Sequence, residues 1–189
     1  ALRLGSFLFW RIKKDGQDKR FIVMKTKFTW FLMTWTIGGL WVLVTMAAGL
    51  AALTSSISAE LGVLSYLGVA LWLFGFVVEV TADNQKTGFR ENPDNRDRFI
   101  TTGVWSWSQH PNYFGEITLW FGMALVALPV LSGWQLATLI SPIFVYFLLT
   151  KVSGIPLLDR LAKQKWGSDS DYLRYTRETS KLLLWPPKT

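Results

Sequence analysis

The chain has no cysteine and only one histidine, His110, among its 189 residues. Without cysteine it can form neither disulfides nor thiolate metal sites, and a single imidazole cannot build a metal centre, so we expect no bound metal. Two nucleotide-binding motifs are also missing: there is no G-x-x-x-x-G-K-[ST], and no G-x-G-x-x-G follows a predicted strand. These absences exclude P-loop and Rossmann chemistry.

Charged residues are scarce, at 17% of the chain, whereas apolar residues make up 50%. The apolar residues are gathered into four runs, and a helix needs roughly 20 mainly apolar residues to cross the hydrocarbon core. The sequence therefore predicts an all-α, polytopic bundle of transmembrane helices in a single membrane-embedded domain. Only Ser132 and Gly133 separate the last two runs, which predicts a tight helical hairpin. The predicted spans are about 28–53, 61–80, 112–131 and 134–150.

The two ends of the chain predict further helical segments. Segment 1–10 is apolar but too short to span, and the chain does not open with methionine. We interpret this segment as the end of an earlier helix and expect natural N-terminal helices to precede it. Towards the C-terminus, Leu157, Leu158 and Leu161 share one helical face, which predicts a short interfacial helix that ends near Trp166 and is followed by a polar stretch.

Lysine and arginine are distributed very unevenly around the apolar runs. Segment 11–27 holds seven of the 20, segment 81–116 holds four and the tail from Lys151 holds eight, while loops 54–60 and 132–133 hold none. With four spans, this alternation places all basic segments on one side, which the positive-inside rule makes the cytoplasmic or equivalent side. The net charge of +7 therefore predicts contact with anionic lipid head groups rather than nucleic acid. The membrane could be a bacterial inner membrane, the endoplasmic reticulum or an organellar membrane.

The polar loop 79–116 contains the first candidate site residues. If the second helix continues past the bilayer, Glu79, Asp83 and Lys86 lie at i, i+4 and i+7 on one face. Three solvated side chains at a helix end would produce the same pattern, so both interpretations stay open. Pro111 suits the first turn of a helix, so the third span should begin there with free N–H groups that favour anions and phosphates.

Asn112 and Glu116 lie one turn apart at this predicted helix start. An ionisable group at the edge of an apolar span is costly without a partner, which favours a functional role for Glu116. For His110 alone, a helix cap is the better interpretation. Together with Arg98, Lys86 and tryptophan or tyrosine rings, this helix start would form a cytoplasmic-side pocket suited to a large anionic cofactor with aromatic parts.

Specific motifs extend this interpretation over most of the chain. Residues 82–122 contain Asp83 with Gln85-Lys86, Arg98-Phe99 before Thr102-Gly103-Val104-Trp105, and His110-Pro111-Asn112-Tyr113-x-Gly115-Glu116. Downstream lie Ser153-Gly154-Ile155-Pro156-Leu157-Leu158 and then Tyr172, Tyr175, Thr179 and Pro186. In these motifs the chain resembles the C-terminal domain of the steroid 5α-reductase family, especially its poorly characterised bacterial and organellar branch.

The resemblance implies a membrane reductase in which NADPH delivers hydride to the β-carbon of an enone in a hydrophobic, steroid-like or other lipid-like substrate. Carried over by position, Asn112 and Glu116 would hold the nicotinamide end, while Arg98, Asp83 and Lys86 would serve the phosphates and the adenosine part. The remaining candidate cofactor-binding residues are His110, Tyr113, Tyr172 and Arg11. Catalytic residues stay unassigned, because the substrate-polarising glutamate and tyrosine of characterised steroid reductases lie in N-terminal helices that this sequence does not visibly contain.

The chain departs from the family pattern at two positions, and two other functions also stay open. Gln109 stands where many relatives have arginine, and Asp159 stands where relatives of this branch often have glutamate. An isoprenylcysteine- or phospholipid-type methyltransferase that uses S-adenosylmethionine has a related architecture, although Gln85-Lys86, Gln109 and Asn112 favour the reductase. A non-catalytic subunit of a larger membrane complex, with other subunits as partners, is the second alternative.

Overall fold

The computed structural model describes residues 2–16 and 26–187, and in these ranges the chain is helical without any strand. The α-helices are α1 (Leu2–Asp15), α2 (Phe28–Leu53), α3 (Val63–Glu91), α4 (Pro111–Ala127), α5 (Ile140–Phe147), α6 (Ile155–Trp166) and α7 (Ser170–Glu178). Short 3-10 helices cover Pro93–Asn95, Gly103–Ser106, Leu128–Val130 and Gly133–Leu139, and Leu148–Val152 is π-helical.

Four helical segments are long and apolar enough to cross a membrane: Phe28–Leu53, Val63–Glu91, Pro111–Val130 and Gly133–Trp166. They confirm the predicted all-α transmembrane architecture, and the protein is an integral membrane protein. The observed α2 matches its predicted bounds of 28–53. Helix α3 continues to Glu91, beyond the predicted span of 61–80, as one of the two interpretations of its polar end supposed. No proline occurs before Pro93, and Asn92 ahead of it is extended (φ −77°, ψ 118°).

The chain divides into two compact units, Ala1–Leu43 and Val44–Thr189. In the first unit, the apolar side chains of α2 are largely exposed, including Trp30, Phe31 and Trp35. This exposure is expected of a helix that faces lipid rather than a protein core. The second unit contains most of the candidate residues.

Helices α3 and α4 pack with their backbones in direct contact. A Cβ atom added to Gly75 would lie 2.5 Å from the carbonyl oxygen of Gly115, and one added to Gly122 would lie 2.6 Å from the carbonyl oxygen of Gly68. Each helix therefore places two glycines, two turns apart, at the crossing. Small residues allow such close approach between membrane helices, where dispersion contacts replace the hydrophobic effect as the source of packing energy.

The sequence predicts the start of α4 but not α7. Pro111 occupies the first turn of α4, as its missing N–H and fixed φ predict. Helix α7 follows the predicted C-terminal helix in a stretch described only as polar. The carboxylate of Asp169 caps α7 by accepting hydrogen bonds from the N–H groups of Asp171 and Tyr172. Asp169, a typical N-cap residue, is the sequence feature from which α7 could have been predicted.

Substitution of Gly75 tests the helix crossing. We expect Gly75→Ala to destabilise the protein by about 1–3 kcal/mol, because the new methyl group would force the two backbones apart. Gly88→Ala is the matched control on the same helix, since its Cβ would meet nothing within 4 Å, and it should be neutral or stabilising by about 0.5–1 kcal/mol. Thermal unfolding of the detergent-solubilised variants measures both. Equal stability of the two variants would contradict the close crossing.

Candidate functional site

The loop between α3 and α4 is held against the polar end of α3. The indole Nε1 of Trp105 donates to the carbonyl oxygen of Ala82 at 3.0 Å, and the N–H of Val104 donates to Oε1 of Gln85 at 3.0 Å. Lys86 Nζ lies 4.5 Å from the centre of the Trp105 ring, in a cation-π contact. Because Trp105 is only 3% exposed, the loop forms part of the core at this end of the bundle.

The same loop is also hydrogen-bonded to the C-terminal segment. Nε2 of Gln109 donates to the carbonyl oxygens of Thr176 and Thr179, at 2.9 and 2.8 Å. The Ser108 hydroxyl donates to the carbonyl oxygen of Leu182 at 2.8 Å. Gln109, one of the two departures from the family pattern, thus satisfies carbonyl groups at the end of α7 that lack helical partners.

These contacts surround a cavity of about 290 Å³ between the end of α3, the loop, α6 and α7. Four basic side chains and one carboxylate line it: Lys86, Arg90, Arg98, Lys165 and Asp159. Its aromatic lining consists of Phe89, Phe99, Trp105, Trp166, Tyr172 and Tyr175. The excess of positive charge beside aromatic faces suits an anionic ligand with a ring system.

Phe99 is the centre of the aromatic lining. Its ring centroid lies 5.7 Å from that of Trp166, 5.2 Å from that of Tyr172 and 5.7 Å from that of Tyr175. The Trp166 Nε1 donates to the carbonyl oxygen of Asp97 at 2.7 Å, which fixes the indole. Burial raises the pKa of both Tyr172 and Tyr175, so both phenols are neutral at pH 7 and act as hydrogen-bonding groups rather than bases.

His110 also lines the cavity. It occupies the N-cap position of α4, as the sequence suggested, but its side chain makes no capping hydrogen bond. The imidazole stacks on Tyr113 at 5.6 Å, with an interplanar angle of 12°. Its Nε2 lies 3.5 Å from Oδ1 of Asp159, whose other carboxylate oxygen pairs with Lys181. Burial lowers the pKa of His110 to about 4, although Asp159 opposes that shift.

The sequence candidates fall into two groups. Lys86, Arg98, His110 and Tyr172 line the cavity. Asp83, Asn112, Tyr113 and Glu116 do not; they lie partly buried on the polar part of α3 and the first turns of α4. A Cβ on Gly115 would lie 2.6 Å from the backbone nitrogen of Glu79, so Glu116 is close to the helix crossing. Arg11 belongs to α1, and its side chain lies outside the described part of the chain.

Several lining residues were not among the sequence candidates. Asp159, Lys165 and Trp166 all come from α6, whose apolar face was assigned to the membrane interface. Two residues of that face, Leu158 and Leu161, also line the cavity. The amphipathic pattern identified the helix, but such a pattern is the same whether the apolar face contacts lipid or protein.

A family model described as "Protein of unknown function (DUF1295)" matches residues 1–179. The chain is 30% identical over 70 residues to 3-oxo-5-alpha-steroid 4-dehydrogenase 1 of Bos taurus, covering 37% of this chain and 27% of that protein. The corresponding protein of Mus musculus is 29% identical over 77 residues, covering 41% of this chain and 28% of its own length.

A third relative has a different name. Probable O-methyltransferase ustE of Ustilaginoidea virens is 28% identical over 137 residues, which is 61% of this chain and 48% of that protein. The match spans little more than a quarter of the steroid dehydrogenases. No solved structure matches the chain. The family match and the dehydrogenase relatives confirm the resemblance to steroid 5α-reductases.

The stability of the protein should depend on pH through His110. Its pKa is lowered from 6.5 to about 4, so between these values the unfolded chain binds a proton that the folded chain does not. The free energy of unfolding should therefore fall as the pH is lowered from about 6.5 towards 4. His110→Gln should flatten this dependence between about pH 6.5 and 5, where few carboxylates titrate. Thermal unfolding of the wild type and of His110→Gln at several pH values measures this dependence. If both proteins show the same pH dependence, the imidazole is solvated in the folded state.

Proposed function

The chain belongs to the DUF1295 family and is similar to steroid 5α-reductases, and from this we propose that it is a membrane-bound, NADPH-dependent reductase of a C=C bond in a lipid-like enone. The observation that carries the proposal is the cavity of about 290 Å³, in which four basic side chains face an aromatic cluster beside the start of α4. The matched relatives are much longer than the matched segment, so the activity rests on this site rather than on their names.

The lining residues fit part of a dinucleotide. Arg98 and Lys86 supply the positive charge that phosphates require, and Arg98 can form paired hydrogen bonds with the additional phosphate of NADPH. The Phe99 cluster, which consists of Phe99 with Trp166, Tyr172 and Tyr175, supplies aromatic faces for a base. Ligand pockets usually measure roughly 300–1,000 Å³, so a cavity of about 290 Å³ takes a portion of the cofactor. We assign the remaining portion to the start of α4, next to His110.

At that start, Asn112 and Glu116 project from successive turns of α4. NADPH supplies the hydride when it is bound, since no side chain can do so. The amide of Asn112 can both donate and accept, and the carboxylate of Glu116 accepts from an amide N–H, so together they orient a carboxamide. Asp83 lies on the facing polar part of α3 and would complete this end of the site. The cation-π contact of Lys86 with Trp105 keeps one positive charge at the cavity wall.

Transfer of a methyl group from S-adenosylmethionine is the second candidate, because one relative is named a probable O-methyltransferase and covers 61% of the chain. S-adenosylmethionine carries a sulfonium and an ammonium group, which four basic side chains would not favour. A non-catalytic subunit of a membrane complex would require no ligand in the cavity. Binding measurements with the two cofactors therefore distinguish all three functions.

Arg98→Ala tests the cofactor assignment. We expect the wild-type protein to bind NADPH more tightly than NADH or S-adenosylmethionine, and Arg98→Ala to weaken NADPH binding by roughly tenfold or more, as loss of a charge-assisted hydrogen bond implies. Arg96→Ala is the matched control, because Arg96 is exposed and lies outside the cavity lining. Titration of intrinsic tryptophan fluorescence gives the affinities. Equal affinity for NADPH and NADH, or tighter binding of S-adenosylmethionine, would contradict the assignment.

Glu116→Gln tests catalysis. The substitution keeps the shape of the side chain but removes its acceptor-only character, so hydride transfer should slow by an amount corresponding to about 1.5–3 kcal/mol while folding is retained. Single-turnover oxidation of NADPH with an enone measures the rate. Glu60→Gln, in the exposed loop before α3, is the control and should leave the rate unchanged. A variant that no longer inserts or folds would show that Glu116 is structural, and absence of turnover in the wild type would favour the non-catalytic subunit.

A further inference from the structure

Two exposed tryptophans from distant parts of the chain lie side by side. Trp107 belongs to the loop before α4, and Trp185 belongs to the segment after α7. Their exposed fractions are 50% and 67%. The backbone N–H of Trp185 donates to the carbonyl oxygen of Trp107 at 3.2 Å, which brings the two residues together. Adjacent exposed apolar side chains mark a contact with a partner or a membrane, whereas isolated ones need no explanation.

The segment that carries Trp185 is fixed along the loop by every second residue. The carbonyl oxygen of Leu182 accepts a hydrogen bond from the Ser108 hydroxyl at 2.8 Å. Leu182 and Leu184 are half-buried, while Leu183 and Trp185 are exposed. The exposed side chains are therefore presented by an anchored backbone. We call the three exposed residues the tryptophan patch: Trp107, Leu183 and Trp185.

The neighbouring span gives the depth of this patch in the membrane. The span Pro111–Val130 has 20 residues, which at about 1.5 Å per residue is close to the roughly 30 Å of the hydrocarbon core. Trp107 lies four residues before this span, and Trp134, which is 95% exposed, lies four residues after it. Tryptophan is enriched at both membrane–water interfaces, where its amphipathic ring sits at the level of the head groups. Trp107 and Trp134 thus lie where the two interfaces are expected.

We propose that the tryptophan patch binds the head-group region of the bilayer on the side where α4 begins. The backbone hydrogen bond between Trp107 and Trp185 then holds the segment after α7 at the membrane surface. The partner is phospholipid, because an indole ring packs against acyl chains while its N–H donates to lipid ester or phosphate oxygens. This surface is distinct from the apolar face of α6, which the sequence assigned to the interface.

Anchoring of this segment also affects the cavity. The loop residues that border it are bonded to the same segment, since Gln109 donates to the carbonyl oxygens of Thr176 and Thr179. Contact of the tryptophan patch with lipid therefore holds one wall of the cavity at the membrane surface. The inference does not depend on which ligand the cavity takes.

Depth measurements test the proposal with both tryptophans in place. Because the chain has no cysteine, Leu183→Cys and Pro186→Cys each introduce one site for a spin label. The full chain is placed in phosphatidylcholine–phosphatidylglycerol bilayers, and paramagnetic resonance compares collisions with oxygen, which enters lipid, and with a water-soluble nickel chelate. Labels at Phe121→Cys, exposed on α4, and Ser168→Cys, exposed in the turn before α7, are the lipid and water references. We expect labels at 183 and 186 to be protected from nickel relative to position 168 and to lie shallower than position 121.

Removal of the rings tests whether the tryptophans make the contact. In the Leu183→Cys background, Trp107→Ser combined with Trp185→Ser should abolish the protection of the label from nickel. Trp134→Ser is the matched control, because it removes an exposed tryptophan from the other end of the same span and should leave the label at 183 unchanged. Both rings of the patch are exposed, so the fold should be retained, and thermal unfolding checks this.

Three results would overturn the proposal. Nickel may reach the labels at 183 and 186 as freely as the label at 168, which would place the segment in water. Shielding of these labels from both probes would show that protein, not lipid, covers the patch. An unchanged depth of the label at 183 in a folded protein without Trp107 and Trp185 would show that these rings do not bind the bilayer.

Discussion

Between α3 and α4, glycines bring the two backbones within contact distance, and the site depends on that contact. Membrane helices gain little from the hydrophobic effect, so their packing energy comes from close dispersion contacts of this kind. The crossing at Gly75 and Gly115 fixes the polar end of α3 beside the start of α4. Lys86 on one helix and His110 ahead of the other consequently line the same cavity.

Beyond the apolar parts of the helices, hydrogen bonds hold the segments together. The loop before α4 is bonded to α3 through Trp105 and to the C-terminal segment through Ser108 and Gln109. Polar groups in this region can be satisfied either by water or by one another, and here they satisfy one another. The loop is therefore a fixed wall of the cavity, with its side chains held in place by these hydrogen bonds.

The basic residues bear on both the predicted membrane orientation and the lining of the cavity. Their distribution in the sequence predicts one membrane side in contact with anionic lipids, and that orientation stays a prediction. The structure adds that four of them, together with the Phe99 cluster, surround a single cavity. Asn112 and Glu116, which the family resemblance singled out, lie beyond its lining on α4.

The sequence by itself determined the transmembrane helices and the start of α4, because run length, apolar composition and a proline at the first turn act locally. It did not predict α7, which is short and polar and depends on the Asp169 cap, and it left open whether α3 continues past the bilayer. Only the tertiary structure decided that His110 meets Asp159 and that the apolar face of α6 lines a cavity. These contacts join residues far apart in the chain, and they follow from how α3, α4 and α6 pack rather than from any local pattern.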